Sequence, residues 1–220
     1  MASTDHSTTG NTGNTGNTGN TVILASGNAG KLKELGRILA PLGLQLRSQA
    51  ELAVPEVVED GLTFVENALL KARAAARHSG LSAIADDSGL EVDALDGAPG
   101  IRSARYAAGE HWGEGDAGNN RKLLAALEGL PREQRGARFQ CVLVYLRHAE
   151  DPTPIICQGA WEGFILTEPR GEQGFGYDPL FYVPGYDSSA AELEHDLKNR
   201  ISHRARACAQ LAEALSRRPR

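Results

Sequence analysis

The sequence has few cysteines and no surplus of basic residues. Its three cysteines, Cys141, Cys157 and Cys208, are too few and odd in number for a disulfide framework. Cys141 and Cys157 lie in apolar stretches, where a free thiol behaves as a small hydrophobe, so we expect both to be buried and reduced. The formal net charge of −5 argues against a general nucleic-acid binder, which usually carries a basic surplus.

Long apolar runs are absent as well. No stretch approaches the ~20 apolar residues that a membrane-spanning helix needs, and the N-terminus lacks the apolar core of a signal peptide. We therefore expect a cytoplasmic protein that has neither nucleic acid nor a membrane as a partner. The hydrophobic share of 41% is sufficient for the core of one sizeable globular domain.

Apolar side chains are almost missing from the first twenty residues, which hold four tandem Thr-Gly-Asn triplets between Thr9 and Asn20. Burial of such a segment could not offset the entropy that is lost on ordering it. We predict that residues 1–20 form a disordered tail and that residues 21–220 form the folded domain.

The spacing of the apolar residues predicts alternating strands and helices, followed by consecutive strands. The predicted strands are 21–25, 44–46, 81–85, 138–147 and 155–166, the last as one strand or two, and the predicted helices are 32–42, 62–78, 119–129 and 189–216, the last interrupted near 201–203. Thr63 is the expected N-cap of the second helix, and Glu66 completes a capping box. This order predicts an α/β fold with a mixed sheet flanked by helices.

A glycine-rich segment, Ser26-Gly27-Asn28-Ala29-Gly30-Lys31, follows the first strand and opens the first helix. Backbone N–H groups at such a place can bind phosphate, and Lys31 adds a positive charge. The segment is not a standard P-loop, because Leu32 stands where that motif needs serine or threonine. The alternative is an ordinary strand–helix turn with a surface lysine.

Asp86, Asp87 and Ser88 follow the predicted strand 81–85. Neighbouring side chains of a strand point to opposite faces, so we expect the two aspartates to differ in role, one facing a cleft and the other anchoring the turn. A carboxylate at the end of a strand suits Mg²⁺, which binds one or two carboxylates together with substrate phosphates. A simple Asx-turn is the alternative.

The predicted helix 62–78 offers further polar candidates. Asn67 and Lys71 stand four residues apart on it and therefore share a face. Glu59 lies in the loop before this helix and could supply a second metal ligand. The alternatives are a solvated helix face and a polar loop.

The segment Gly174-Phe175-Gly176-Tyr177-Asp178-Pro179 combines glycines, aromatic rings and a carboxylate. A purine pocket needs a stacking face and an acceptor for ring N–H groups. Ser202 is the expected N-cap of a helix that begins with His203 and Arg204, and these two side chains could donate to a carbonyl group of a base. The alternatives are a plain turn at 174–179 and an exposed His-Arg pair.

Taken in order, these segments resemble the inosine/xanthosine triphosphate pyrophosphatase family, whose members remove non-canonical purine nucleotides. The resemblance extends from Val22 to about Leu215, and six blocks carry it: 26–31, 63–68, 85–90, 97–106, 174–179 and 202–204. The fold that it implies has a long curved mixed sheet and two lobes that enclose a substrate cleft. The assembly that it implies is a homodimer.

The resemblance also implies an activity and a site. Such enzymes use Mg²⁺ to hydrolyse the bond between the α- and β-phosphates of ITP, dITP and XTP, which gives the monophosphate and pyrophosphate. The implied site residues are Ser26, Gly27, Asn28, Ala29, Gly30 and Lys31 for the triphosphate, Asp87 as general base and metal ligand, Ser88 at the substrate, and Phe175, Gly176, Tyr177, Asp178, Lys198, His203 and Arg204 for the nucleoside. Further candidates are Asn67, Lys71, Arg105 and Glu59. Val58 and Glu59 both fall where some relatives carry a metal-binding acid.

Two other functions compete with this one. A Maf-like nucleotide pyrophosphatase has a related fold, but blocks 174–179 and 202–204 argue against it. A nucleotide-binding regulatory module without turnover should lack a carboxylate at the phosphate end, so Asp87 favours an enzyme. An aspartate near its reference pKa of ~3.9 is a weak base at neutral pH, so we expect metal positioning to contribute more than proton removal.

Overall fold

Residues 20–217 are described by the structure, a computed structural model. Their strands and α-helices are, in chain order, β1 (Thr21–Ala25), α1 (Ala29–Leu39), β2 (Gln45–Ser48), α2 (Phe64–Ser79), β3 (Ser82–Val92), α3 (Gly115–Ala126), β4 (Gly136–Leu146), β5 (Ile155–Ile165), β6 (Phe181–Val183), β7 (Ser188–Ser189), α4 (His195–Ile201) and α5 (His203–Ser216). Of the predicted disordered tail, residues 1–19 lie outside the described residues. Between residues 20 and 217, no helix is both long and apolar enough to cross a membrane.

The strands of the described residues form one seven-stranded sheet in the order β2-β1-β3-β4-β5-β6-β7. β1 pairs in parallel with β2 and β3, whereas every pair from β3 to β7 is antiparallel. The predicted α/β fold with a mixed sheet flanked by helices is therefore confirmed. The curvature of the sheet and its division into two lobes stay predictions.

Helices cover both faces of the central strands. α1 and α5 pack on one face, where Leu35 and Leu211 meet Ile84 of β3. α2 packs on the other face through a stripe of buried alanines, which includes Ala68 and Ala72. Because side chains alternate along a strand, the even-numbered residues of β3 around Ile84 face α1 and α5, and the odd-numbered ones face α2.

Local signals fix the helix ends. The predicted capping box of α2 is confirmed: the Glu66 N–H donates to Thr63 Oγ1 at 3.2 Å, and the Thr63 N–H donates to Glu66 Oε2 at 2.8 Å. Gly80 ends this helix with a positive φ of 68°, a conformation that glycine adopts without strain. Ser202 caps α5 as expected, because its side chain accepts from the Ala205 N–H.

Strand β3 is longer than predicted. It continues through Asp86 and Asp87 to Val92 because β4 pairs with it all along, up to the Val92–Ala137 pair. The prediction that the two aspartates follow the end of a strand is therefore wrong, and so is the Asx-turn alternative. What ends at this point is the neighbouring strand β1, whose last residue, Ala25, pairs with Ala85.

Other boundaries differ because contacts distant in sequence determine them. α3 begins at Gly115 rather than at Asn119, and residues 189–194 are not helical. The region 155–166 holds the single strand β5, and the short strands β6 and β7 were not predicted.

The outer edge of β5 is closed by side chains of α5. β6 pairs with β5 only at Phe164 and Ile165, so the earlier residues of β5 have no strand on that side. Arg206 Nη1 donates to the Ala160 carbonyl and Gln210 Nε2 to the Gln158 carbonyl, both at 2.6 Å. The helix approaches β5 so closely that a Cβ at Gly159 would lie 2.1 Å from the His203 carbonyl oxygen.

Candidate active site

Two adjoining cavities lie at the end of β1, around the N-terminus of α1. The larger, of about 270 Å³, is called the polar cavity; its lining includes Ser26, Gly27, Asn28, Lys31, Gln49, Glu56, Glu59, Lys71, Asp86, Asp87, Ser88, Ala104 and Arg105. The smaller, of about 90 Å³, is called the aromatic cavity; its lining includes Asn28, Lys31, Ser88, Ala104, Asp116, Phe139, Phe175, Gly176, Tyr177, Asp178, His203 and Arg204. Since Asn28, Lys31, Ser88 and Ala104 line both, one elongated ligand can occupy the two cavities together.

The glycine-rich segment 26–31 forms the turn between β1 and α1. Asn28 is the N-cap of α1, and its Oδ1 accepts from the Lys31 N–H at 3.0 Å. The first N–H groups of a helix carry partial positive charge and are suited to binding phosphate. Ala29 is the first residue of α1, and Gly30 leaves room for the ring of Phe175, which would lie 2.9 Å from a Cβ at this position.

The two aspartates project from opposite faces of β3. Asp86 Oδ1 lies 2.6 Å from Lys31 Nζ on the side of α1 and α5. Asp87 Oδ1 lies 2.8 Å from Lys71 Nζ on the side of α2. Both carboxylates still line the polar cavity, because β1 ends just before them and leaves this part of β3 open.

Asp86 is the centre of a buried ion network. Its side chain is fully buried, and it also contacts the Arg204 guanidinium at 3.4 Å and accepts from the Cys141 thiol at 3.2 Å. Burial alone would raise the pKa of Asp86, but Lys31 and Arg204 outweigh it and hold the pKa well below its usual range. The carboxylate therefore stays ionised. It links Lys31, which lines both cavities, to Arg204, which lines the aromatic cavity.

Arg204 is fixed by a second acid that sequence reasoning did not single out. Its Nη1 donates to Glu34 Oε2 at 2.6 Å, and its Nη2 donates to Ser88 Oγ at 3.0 Å. Glu34 is buried on α1 next to Leu35. A charged residue on the apolar side of a helix is the only signal in the sequence that could have identified it.

Asp87, Lys71 and Glu59 form a second charged group. Lys71 Nζ lies between the two acids, 2.8 Å from Asp87 Oδ1 and 3.2 Å from Glu59 Oε1. Burial raises the pKa of Asp87 above its usual value even though Lys71 opposes this effect. Burial would lower the pKa of Lys71, but the attraction of Asp87 and Glu59 outweighs it and raises the pKa.

This group fits a magnesium ion. Asp87 Oδ2 is buried and has no hydrogen-bond partner among the described residues, and Glu59 supplies a second carboxylate within reach of the same ammonium group. Within residues 20–217 no group of three or more His, Cys, Asp or Glu side chains could hold a metal. An ion held by two carboxylates and completed by substrate phosphates is what Mg²⁺ prefers.

The remaining candidates around α2 have different surroundings. Asn67 does not line the polar cavity; it is fully buried, and its Oδ1 accepts from the Gly61 N–H at 2.9 Å, which holds the loop that carries Glu59. Val58 is 80% exposed, so Glu59 is the residue of the two that faces the cavity. Arg105 is exposed and lines the polar cavity.

Phe175 forms one wall of the aromatic cavity. Its ring centroid lies 5.2 Å from the Arg204 guanidinium carbon and 5.5 Å from Lys198 Nζ. Its N–H donates to Asp178 Oδ2 at 2.9 Å, and the same oxygen accepts from Lys198 Nζ at 2.6 Å. A Cβ at Gly174 would lie 2.1 Å from that oxygen, so only glycine fits there. Lys198 itself lines a neighbouring cavity.

His203 lies deep in the aromatic cavity and is neutral. Its ring stacks on Phe139 at 4.9 Å between centroids. Burial, with help from the nearby charges of Arg204 and Lys198, lowers the pKa of His203 well below its usual value. A neutral imidazole offers one donor and one acceptor. His203 Nδ1 is buried and has no partner among the described residues, so it remains free for a ligand.

Polar side chains of α3 hold the segment of the aromatic cavity that follows Phe175. Asp116 Oδ2 accepts from the Gly176 N–H at 2.6 Å, and Asn120 Nδ2 donates to the Gly176 carbonyl at 3.0 Å. The Tyr177 hydroxyl donates to the Ser103 carbonyl at 2.8 Å. No local pattern indicates Asp116 and Asn120, because their partner lies more than fifty residues away in the sequence.

The chain is similar in sequence to known proteins. A dITP/XTP pyrophosphatase of Vibrio cholerae is 55% identical over 194 residues, which make up 88% of this chain and 96% of the relative. One from Escherichia coli O157:H7 is 56% identical over 194 residues, with 88% of this chain and 97% of the relative covered.

Solved structures are similar as well. A HAM1 protein from Coxiella burnetii has a TM-score of 0.81 and 47% identity, and the match covers 90% of this chain and 99% of that one. A nucleoside-triphosphatase / dITP/XTP pyrophosphatase from Mycobacterium abscessus has a TM-score of 0.69 and 43% identity. The match covers 87% of this chain and 98% of that one. The family model described as the Ham1 family matches residues 22–214, and the chain belongs to that family.

Proposed function

We propose that this protein hydrolyses non-canonical purine nucleoside triphosphates (ITP, dITP and XTP) to the monophosphate and pyrophosphate, and thereby clears them from the nucleotide pool. One observation carries the proposal: a cavity with cations, carboxylates and a helix N-terminus adjoins a cavity lined by aromatic rings and buried polar side chains. The names of the relatives support the same activity.

In this proposal the triphosphate lies in the polar cavity. The turn 26–31 binds phosphate oxygens through backbone N–H groups, and Lys31 and Arg105 add positive charge there. Lys71 is held at the same place by Asp87 and Glu59. These cations offset the charge that develops on the departing pyrophosphate, which is where preorganised charge lowers a barrier most.

Asp87 is the proposed general base. It orients the attacking water and accepts one of its protons. Asp87 and Glu59 would also hold Mg²⁺, the proposed cofactor, which supplies charge neutralisation at the phosphates when bound. The unpartnered Asp87 Oδ2 supports this assignment.

The aromatic cavity is proposed to read the base. Phe175 stacks on the purine, and Ser88, Gly176, Tyr177, Asp178 and Lys198 shape or support the pocket around it. Arg204 and the neutral His203 can donate to a 6-keto group. Adenine has an amino group at that position, so donor would face donor, and sites that read a base by hydrogen bonds reject such a mismatch by ~10⁴-fold.

Hydrolysis of ITP, XTP, GTP and ATP in the presence of Mg²⁺, followed by separate assays for pyrophosphate and phosphate, tests the function. We expect pyrophosphate as the product, with kcat/KM for ITP and XTP far above that for ATP. Equal values for ITP and ATP would contradict base reading. Tight ITP binding without any product would instead favour a regulatory module. A preference for other nucleotides would favour a Maf-like enzyme.

We also propose a homodimer and a cytoplasmic location. The resemblance to the family supports the dimer, which sedimentation equilibrium can test. Cys141, Cys157 and Cys208 are free and buried, and free thiols are typical of a reducing compartment.

A further inference from the structure

The first turns of α3 hold both backbone groups of the glycine that follows Phe175. The Gly176 N–H donates to Asp116 Oδ2 at 2.6 Å, and the Gly176 carbonyl accepts from Asn120 Nδ2 at 3.0 Å. Asp116 and Asn120 are four residues apart on α3 and therefore share a face of the helix. One helix face thus holds both backbone polar groups of a single residue.

Such a grip matters here because Phe175 lies between two flexible residues. Gly174 and Gly176 both have positive φ, of 82° and 64°. Glycine reaches many backbone conformations at little cost, so the sequence around the ring does not by itself fix where the ring lies. The ring is held by the bonds between Phe175 and Asp178 and by contacts with other elements, and the contacts at Gly176 come from α3.

The same helix also holds a second part of the lining of the aromatic cavity, at residues 103–104. Asn119 Oδ1 accepts from the Ala107 N–H at 2.8 Å, and its Nδ2 donates to the carbonyls of Ser103 and Ala104, both at 3.3 Å. Ala104 lines both cavities. α3 therefore holds two separate parts of the lining of the aromatic cavity, one at Gly176 and one at Ala104.

Asp116 is not a core residue. It is exposed to solvent and lines the aromatic cavity, and its short bond to an N–H is of the charge-assisted kind. An exposed side chain that makes such a contact beside a ligand cavity contributes little apolar burial to the fold.

We propose that Asp116 and Asn120 are positioning residues for the purine base, which act through Gly176 to hold the Phe175 ring at its stacking position. The proposal rests on the nucleotide hydrolysis proposed above. In this proposal the α3 side chains contribute to substrate affinity and take no part in the chemistry at Asp87.

Steady-state kinetics with ITP and Mg²⁺ on Asp116→Ala, Asn120→Ala and Asp116→Asn test the proposal. We expect KM to rise about tenfold in the two alanine variants, equivalent to about 1.4 kcal/mol, while kcat stays within about twofold because the polar cavity is unaltered. Asp116→Asn should recover most of the affinity, because its amide oxygen can still accept from the Gly176 N–H.

Glu114→Ala is the matched control. It removes an acid from the same end of α3, and the Glu114 side chain makes no capping hydrogen bond, so KM should equal that of the wild type. Melting temperatures are measured alongside. For the variants of the exposed residues Asp116 and Glu114 they should agree within ~2 °C, because surface substitutions change stability little.

Calorimetric titration with IMP and with pyrophosphate separates the two halves of the site. The Kd for IMP should rise about tenfold in the alanine variants, whereas the Kd for pyrophosphate should not change. Three outcomes would each overturn the positioning role. The first is an alanine variant with unchanged KM and unchanged affinity for IMP, and the second is an equal loss of affinity for IMP and for pyrophosphate. The third is an Asp116→Asn variant that binds substrate as weakly as Asp116→Ala. A wild type that binds IMP but releases no pyrophosphate from ITP would overturn the proposed function alone.

Discussion

Asp86 and Asp87 are adjacent residues of one chemical type with different surroundings. Both oxygens of Asp86 have partners, in Lys31, Ser88, Arg204 and Cys141. Asp87 Oδ2 has none among the described residues. The first carboxylate is therefore committed to holding cations in place, and the second is available for a ligand.

Asp87→Asn should fold normally and lose turnover by ~10²-fold or more if the carboxylate is both base and metal ligand. The amide has nearly the same shape but no charge. Pyrophosphate release from ITP at saturating Mg²⁺ is the measurement, with the melting temperature as the check on folding. A rate close to that of the wild type would show that another group activates the water.

His203 should make folding stability depend on pH. Its pKa is lowered in the folded state from an ordinary value of 6.5. The stability associated with the neutral ring is therefore present above pH 6.5 and is lost as the pH falls below it, since only the unfolded chain takes up the proton. Urea unfolding of the wild type should show a falling free energy between pH 6.5 and 5.

In His203→Gln that slope should largely disappear, whatever the absolute stability of the variant. The exposed His148 is the control: His148→Gln should keep the slope of the wild type. Identical slopes in the wild type and in His203→Gln would mean that the ring is not held neutral.

At the scale of the elements, helix ends that depend on nearby residues could be predicted from the sequence. Strand boundaries that depend on pairing with distant strands could not. The capping box at Thr63 and the stop at Gly80 are readable because each involves residues a few positions apart. β3 was predicted too short, because its second half is defined by pairing with β4 as far as Val92–Ala137. β6 and β7 have three and two residues, too few to show a periodicity.

The site follows the same rule. Lys31 and Phe175 lie in compact blocks whose composition indicates a nucleotide, and the structure brings both to one pair of cavities. Glu34 and Arg204 are 170 positions apart, and Asp116 and Gly176 are 60 apart. No local pattern in the sequence indicates contacts over such separations, so the supporting roles of Glu34 and Asp116 could not be predicted.

The docking of α5 on β5 allows a prediction at this scale. In Gly159→Ala the new Cβ would meet the His203 carbonyl at 2.1 Å and the Ala207 nitrogen at 2.7 Å, so α5 must move. Overpacking typically costs 1–3 kcal/mol, so we expect about 2 kcal/mol of stability to be lost. The displacement of His203 and Arg204 should also narrow the preference for ITP over ATP.

Gly36→Ala provides the contrast. A Cβ at Gly36 has nothing within 4 Å, and the residue lies inside α1. Alanine is the better helix former by about 0.5–1 kcal/mol, so this variant should be more stable with unchanged kinetics. Denaturant unfolding compares the two variants directly. If Gly159→Ala and Gly36→Ala changed the free energy of unfolding equally, the new Cβ at position 159 would be accommodated without displacing α5.

For the whole molecule, the site depends on both ends of the folded chain. Residues from Ser26 to Arg204 line the two cavities, and the ion network of Asp86 joins α1 to α5 on one face of the sheet. A ligand that fills both cavities therefore binds only the complete fold, and its binding energy adds to folding stability.

Thermal unfolding with Mg²⁺ and a non-hydrolysable ITP analogue tests this dependence. At a hundred times its Kd, a ligand adds about 2.7 kcal/mol, so Mg²⁺ and the analogue together should raise the melting temperature by several degrees. Mg²⁺ alone should raise it little, because without substrate phosphates the proposed ligands are the two carboxylates of Asp87 and Glu59. Removal of the metal with EDTA should reverse most of the combined shift; a full shift with the analogue and no metal would argue against the magnesium site.

The contacts of Arg206 and Gln210 along β5 have a consequence for self-association. An open strand edge is a template on which a second chain can add, and this is a common route to aggregation. Donors on α5 occupy the carbonyls of Ala160 and Gln158 that such a chain would need. A double variant, Arg206→Ala with Gln210→Ala, should keep its activity when freshly purified and then scatter light at concentrations where the wild type stays clear. The helix that holds the base-reading residues would thus also keep the enzyme from polymerising through its own sheet.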